Sequence, residues 1–348
     1  MDKKTLSRLY KYCVVPFCVG IGLYALIFFV AVNNFSTKRV SITIDHNDSA
    51  ALVLWKLQAN HVVWPRHNMR IAVRVSRVDR GFHAGRYTVS PAMPLSEVFA
   101  TLMEKRGLSE TSSIKVLVQE GATLTDIAQK LDDAKVISAS AFLNYVRTVD
   151  KSTLQDKYDF LPDNDLKGAQ YLEGYLYPDT YAFTEAASAN QILDYMLYRF
   201  QQEAVPLFAK YPNKRSMHAV LTLASIVEKE AEVPSDRPII AGVFLNRIKK
   251  WVHLGSCPTV KYALGKPHKR DLLYKDLEVK SPYNTYRNYG LPPGPICSPG
   301  KASILAALQP TTTDYFYFFA KGDGTHIFSK TLEEHLQLQR DHRKQELQ

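Results

Sequence analysis

Cysteine is scarce in this chain. Four are spread over 348 residues, at Cys13, Cys18, Cys257 and Cys297, which excludes a disulfide scaffold. Cys13 and Cys18 fall within an apolar run. A single Cys257–Cys297 bridge stays open for an oxidising compartment. No His, Cys or Asp grouping has the spacing of a zinc site, so neither a metal nor a cofactor is expected. The formal charge is +10, yet no nucleic-acid-binding motif accompanies it. The basic balance suits an anionic polymer or a membrane face, or serves solubility alone. Charge is missing altogether from Cys13–Val32.

At about 1.5 Å per residue a helix over that run crosses a hydrocarbon core of about 30 Å. Pro16 lies near its start, where a helix tolerates proline best. Lys3, Lys4, Arg8 and Lys11 precede the run, and only Lys38 and Arg39 follow it closely. The positive-inside rule therefore predicts a cytoplasmic tail over 1–11, a transmembrane helix over 12–32 and the remainder across the membrane. A cleaved signal peptide fits less well. The run exceeds the ~7–15 residues of a signal-peptide core and ends without a small-x-small site. The whole chain is 46% hydrophobic and 22% charged, a globular composition, and the part beyond the span is large enough for two or three domains.

Residues 33–112 read as a small α/β subdomain. Val40–Ile44 alternates like a strand, Asp48-Ser49 can cap a helix over Ala50–Ala59, Gly85–Val89 reads as turn and strand, and Pro94–Ser96 opens a helix through Glu104. Residues 113–150 look like a second version. A strand over Ile114–Val118 and a turn over Glu120–Thr123 lead into a helix with Leu124, Ile127, Ala128 and Leu131 on one face. This piece resembles a LysM-type carbohydrate-binding module, which implies glycan binding; a spacer module fits it equally. Glu173–Tyr181 is dense in tyrosine and suits either sugar stacking or core packing around a turn.

The last part, 151–348, is helical around His218–Ala231 and Ile239–Lys250, with a break at Pro234–Pro238. The stretch 251–300 is rich in Gly, Pro and Tyr and has little periodicity, as functional loops often do. Lys301–Leu308 reads as a helix, Tyr315–Ala320 and His326–Ser329 as a hairpin, and Thr331–Arg343 as a charged closing helix.

The chemistry points to Leu223–Ala231. This segment reads as an amphipathic helix with Glu228 and Glu230 at the margins of its apolar stripe. A carboxyl against apolar surface has its charged form disfavoured, which suits a general acid near neutral pH. The two carboxylates sit about 200° apart and cannot share one cleft. Periodicity does not choose between them, and either could be a solvated flank residue paired with Lys229 or Arg247.

Several blocks in fixed order resemble the YceG-like family of endolytic murein transglycosylases. They are Ala224–Glu230, Val243–Arg247, Pro258–Gly265, Ser281–Tyr286 and Gly290–Ile296, with Glu173-Gly174 and Tyr177–Thr180 in the same pattern. The resemblance covers nearly the whole chain. It implies an α+β protein: an N-terminal transmembrane helix, a small α/β region with a LysM-like module, and a lysozyme-related catalytic domain. It implies Glu230 as the catalytic residue. The implied reaction is non-hydrolytic cleavage of the β-1,4 bond between N-acetylmuramic acid and N-acetylglucosamine in peptidoglycan strands, leaving 1,6-anhydro ends. It also implies an inner-membrane location, beside peptidoglycan synthases. Within the predicted loop, Tyr283, Asn284 and Tyr286 are candidates to line the substrate pocket, with Asn246 on the preceding helix. A hydrolase of the same bond would need a second carboxylate, for which Glu173, Asp179 and Asp276 are candidates; a non-catalytic wall-binding scaffold would need none. In the family pattern an acidic residue often precedes the Pro-Thr pair. Cys257 stands there in this chain.

Overall fold

The structure, a computed structural model, describes residues 39–44, 48, 50–63, 82–83, 85–103, 114–183 and 187–346. The expected membrane helix lies outside the described residues. Among the described residues no helix is long and apolar enough to cross a membrane. The chain divides into two compact units, Met1–Ser112 and Ser113–Gln348.

In the first unit, strand β1 (Val40–Ile44) is followed by helix α1 (Ala50–Ala59), strand β2 (Gly85–Val89) and helix α2 (Leu95–Met103). The two strands pair antiparallel, Val40 opposite Val89. Strand β2 alternates buried and exposed residues, so Tyr87 and Val89 point inward. They meet Val98, Phe99 and Leu102 of α2 and Val53 and Leu57 of α1 in one small core.

The second unit begins with strand β3 (Ile114–Leu117) and helices α3 (Leu124–Asp133), α4 (Ala139–Thr148), α5 (Lys151–Lys157) and α6 (Ala169–Leu172). Thr123 and Asp126 form a reciprocal capping box at the start of α3, and Leu124, Ile127, Ala128 and Leu131 are buried, the face expected of them. The partner of β3 is strand β4 (Thr180–Phe183), antiparallel, with Ile114 opposite Phe183. The β3–α3–α4 segment thus takes its second strand from well beyond residue 150.

Helices α7 (Ala189–Glu203), α8 (Val205–Lys210), α9 (Met217–Glu230) and α10 (Arg237–Lys249) follow. Every residue of α9 from Val220 to Val227 is buried. The helix is therefore not the amphipathic surface helix that its sequence suggests. It is wrapped on all sides, against α10, α11 (Cys257–Ala263) and α12 (Lys301–Leu308). Even Ser225 is enclosed; its hydroxyl donates to the Thr222 carbonyl and accepts from the Ile296 amide. Only its two ends, Met217 to Ala219 and Glu228 to Glu230, reach partial exposure.

The stretch 251–300 is more ordered than its composition suggests. It holds α11 and a short 3-10 turn over Tyr274–Glu278. Pro258 in the first turn of α11 pre-sets the helical backbone, but so short a helix is too brief to show a period. The chain ends in a hairpin of β5 (Tyr317–Ala320) and β6 (His326–Ser329), then α13 (Leu332–Glu346).

Candidate active site

The two carboxylates at the end of α9 have different fates. Glu228 accepts from Arg237 Nη2 at 3.1 Å and from the Gly300 amide at 2.9 Å, and its side chain is almost wholly enclosed. It fastens the start of α10 and the start of α12 to α9. Neither Lys229 nor Arg247 is its partner. Lys229 donates to the Gly121 carbonyl at 3.2 Å, and Arg247 donates to the carbonyls of Phe316 and Leu254, each at 2.6 Å.

Glu230 faces elsewhere and accepts from the Ser256 hydroxyl at 2.5 Å. It is partly accessible, yet burial of its carboxyl raises the pKa above the ordinary value. The Ser256 hydrogen bond, His326 and the positive charges of Lys261 and Arg247 oppose that rise and do not cancel it. The charges acting on Glu230 are thus cationic, and its main hydrogen-bond partner is a neutral hydroxyl.

Ser256 stands where a helix N-cap belongs, immediately before α11, but its hydroxyl does not cap that helix. It is turned to Glu230 instead. Its backbone is held from beneath: the Ser256 amide donates to Thr285 Oγ1 at 3.0 Å, and Thr259 Oγ1 donates to the Ser256 carbonyl at 2.7 Å. Both threonines and Ser256 are buried. Gly255 precedes it at φ +59°, with Arg247 and Tyr286 close to where a side chain would project.

The four expected pocket residues are placed differently from one another. Tyr286 is half-buried, its hydroxyl 3.1 Å from Cys257 Sγ. Burial raises its pKa, and the charge of Glu230 adds to the rise. Tyr283 is buried, its ring tilted against Tyr262 at 4.9 Å. Asn284 is fully buried; its amide donates to the carbonyls of Leu277 and Val279, and its oxygen accepts from the Tyr286 amide at 3.0 Å. Asn246 donates to the carbonyls of Thr313 and Tyr315, tying α10 to the segment before the hairpin. Tyr286 therefore joins Glu230, while Tyr283, Asn284 and Asn246 hold the loops around it.

Sequence reasoning missed Ser256 and the pair Asp236–His326. Asp236 accepts from the His326 amide at 2.8 Å and lies 3.0 Å from its Nδ1, which pins the hairpin to the start of α10. The position of Ser256 before Cys257-Pro258 reads as an ordinary cap, and nothing in the sequence shows that its hydroxyl is diverted.

The three carboxylates that a hydrolase could call on are engaged elsewhere. Asp179 is paired with Arg199, and Asp276 with Lys269. Glu173 is buried, accepting from the Leu124 amide at 2.9 Å and bonded to Tyr262 Oη at 3.2 Å. Burial pushes its pKa up to about 8. The neighbouring tyrosines are core residues: Tyr175 and Tyr181 are buried, and Tyr175 bonds His218 at 2.9 Å. Cys257 and Cys297 are both free, the first exposed and the second buried. Cys297 donates to the Ser225 carbonyl inside the core, so the bridge between them is not formed. Among the described residues no group of three or more His, Cys, Asp or Glu side chains is placed to hold a metal.

A family model for the YceG-like family matches residues 42–341. The chain is 37% identical over 324 residues to an endolytic murein transglycosylase of Bacillus subtilis, covering 91% of this chain and 88% of the relative. It is 33% identical over 274 residues to an endolytic murein transglycosylase of Streptococcus pneumoniae, covering 72% of this chain but only 49% of that relative. Among solved structures, a YceG-like protein from Listeria monocytogenes matches with a TM-score of 0.59 and 35% identity, over 87% of this chain and 99% of that one.

Proposed function

Because this chain belongs to the YceG-like family, we propose that it is an endolytic lytic transglycosylase of peptidoglycan. It cleaves the β-1,4 bond between N-acetylmuramic acid and N-acetylglucosamine within glycan strands and leaves 1,6-anhydro ends. The observation that carries this reading is the setting of Glu230: one carboxyl of raised pKa, held by a serine hydroxyl, with cationic rather than acidic neighbours.

One carboxyl suffices for this reaction. Protonated, Glu230 gives its proton to the glycosidic oxygen as the bond to the anomeric carbon breaks. The resulting carboxylate then takes the proton from the sugar's own C6 hydroxyl, whose oxygen closes on the anomeric carbon. The nucleophile is already part of the substrate, so proximity replaces the second carboxylate that activates water in an inverting hydrolase. Ser256 holds the carboxyl in one orientation through both half-steps. Tyr286 lines the substrate pocket, and Tyr283, Asn284 and Asn246 act on the substrate through the walls they hold.

The architecture that goes with this function has a cytoplasmic tail at 1–11, a membrane span at 12–32, an α/β subdomain at 33–112, a LysM-like module at 113–150 and the catalytic domain at 151–348. The lysine and arginine excess before Cys13 supports the inward N-terminus. The β3–α3–α4 succession supports the module, whose sheet is completed by β4 from the catalytic part. An enzyme so anchored in the inner membrane, with its catalytic part outside the cytoplasm, acts on nascent strands beside the synthases that make them and limits strand length.

The test is the mass of the products. The full chain in detergent micelles is incubated with peptidoglycan beside Glu230→Gln. Anhydro-muramyl ends from the wild type, with a loss of about 10²-fold or more in the variant, are expected. Products heavier by one water mean a hydrolase. Strand binding without cleavage in both proteins means a scaffold.

A further inference from the structure

A cavity of about 460 Å³ opens beside the last turn of α9, within the second unit. One wall is the outer face of α3, where Asp126, Lys130 and Asp133 recur at helical spacing. The lining also carries Lys229, fixed to the Gly121 carbonyl, and His268, which lies 2.7 Å from Asp126 Oδ1. Glu120 completes the charged rim.

The lining contains no Phe, Tyr or Trp. A sugar ring is usually held by an aromatic face beside hydrogen-bonding groups, and this cavity offers no such face. It offers ammonium and carboxylate groups in one enclosure. That combination favours a ligand that is itself charged with both signs, because each contact is then charge-assisted. A neutral hexosamine can hydrogen-bond these groups but brings no opposite charge to pair with them. A short peptide with free carboxylates and a side-chain amine does.

The position of the cavity makes that chemistry relevant. Successive residues leave a helix about 100° apart. Glu230 turns toward Ser256, and Lys229 turns toward the cavity. The cavity thus opens on the helix turn that carries Glu230, about 100° around the axis from it. In peptidoglycan the lactyl substituent of muramic acid bears the stem peptide, which carries carboxylates and, on its diamino residue, an amine.

We propose that this cavity is a stem-peptide site, with Lys130 and Lys229 receiving carboxylates and Asp133 and Glu120 receiving the amine, so that the enzyme reads the peptide next to the bond it cuts. The assignment rests on the transglycosylase reading above. It gives the β3–α3–α4 segment a peptide ligand in place of the sugar that its sequence suggests.

The test uses the full chain in detergent micelles and two substrates: uncross-linked strands bearing stem peptides, and the same strands stripped of them by an amidase. The wild type is expected to cleave stem-bearing strands with kcat/KM about tenfold higher, carried by KM, the size of one charge-assisted hydrogen bond. Lys130→Glu and Asp133→Lys are expected to bring that ratio toward one. Lys130→Gln and Asp133→Asn repeat the measurement with the charge removed and the size kept, in case reversal disturbs folding. Equal rates in the wild type, or faster cleavage of stripped strands, overturn the proposal and leave the transglycosylase reading standing. A preference that survives in all four variants also overturns it, because the peptide is then read elsewhere. Failure of the wild type to cleave either substrate removes the transglycosylase reading, and the site with it.

Discussion

At the scale of single residues, two glutamates share one helix turn. Their spacing does not distinguish them, because what separates them comes from other parts of the chain. Arg237 and the Gly300 amide engage Glu228, and Ser256 engages Glu230. The family resemblance pointed to Glu230, and the structure supplies a physical reason for the choice: Glu228 is locked in an ion pair, while Glu230 has a raised pKa and a neutral hydroxyl partner. Two consequences follow for pH. As the proposed general acid, Glu230 carries its proton below its pKa, so kcat/KM should fall as pH rises through that value. The Ser256 hydrogen bond lowers that pKa, so Ser256→Ala should move the falling limb to higher pH. It should also reduce the plateau rate by about tenfold, since a hydrogen bond to a charged group is worth roughly 1.5–3 kcal/mol. A pH–rate profile of the two proteins decides it; a limb that moves to lower pH, or not at all, contradicts the assignment.

At the scale of elements, the strands and helices expected from alternation, capping residues and turns form close to where those signals place them, whereas α4 to α8 and β4 carry no such expectation. Two further departures have a common cause. Helix α9 reads as one-sided because its sequence is interrupted by Thr222 and Ser225, yet both are buried and satisfied by carbonyls or amides. Helix α11 is hidden in a Gly- and Pro-rich stretch and is stabilised by long-range bonds such as that of Thr259 with Thr285. Periodicity reports solvent, and it fails where a helix has none or is too short. Two predictions belong here. Gly242 lies inside α10, and an added Cβ would sit 2.3 Å from the Thr311 carbonyl. Gly242→Ala should therefore destabilise the fold by about 1–3 kcal/mol, despite alanine's better helix propensity; denaturant unfolding measures it. Glu173 joins α3 to α11 through Leu124 and Tyr262. Its pKa rises from 4.5 to about 8 on folding, so between those values the folded state holds the proton more tightly. Stability should then decline as pH rises from about 4.5 to about 8 and level off beyond. Glu173→Gln can keep both hydrogen bonds without ionising, and should remove that decline. Thermal unfolding from pH 5 to pH 9 tests this, and a variant with the wild-type slope would show that Glu173 is not its source.

At the scale of the whole molecule, the proposed topology rests on the distribution of charge around an uncharged run, and the cysteines provide a way to measure it. Cys257 is exposed beside the active site and Cys297 is buried with its thiol pKa driven well up by burial. The thiolate is the reactive form, so a maleimide should label Cys257 readily and Cys297 only on unfolding. If residues 1–11 are cytoplasmic and the rest lies across the membrane, a membrane-impermeant maleimide added to spheroplasts should label the wild type and spare Cys257→Ser. Labelling that requires permeabilised membranes would reverse the orientation and put the Glu230 site on the wrong side for peptidoglycan. The same experiment bears on the catalytic reading. Cys257 adjoins Ser256 and touches Tyr286, so a bulky adduct there stands in the path to Glu230. Labelled enzyme should lose activity on glycan strands, and bound strands should slow the labelling. Orientation, access and the identity of the site are thus tied to one thiol.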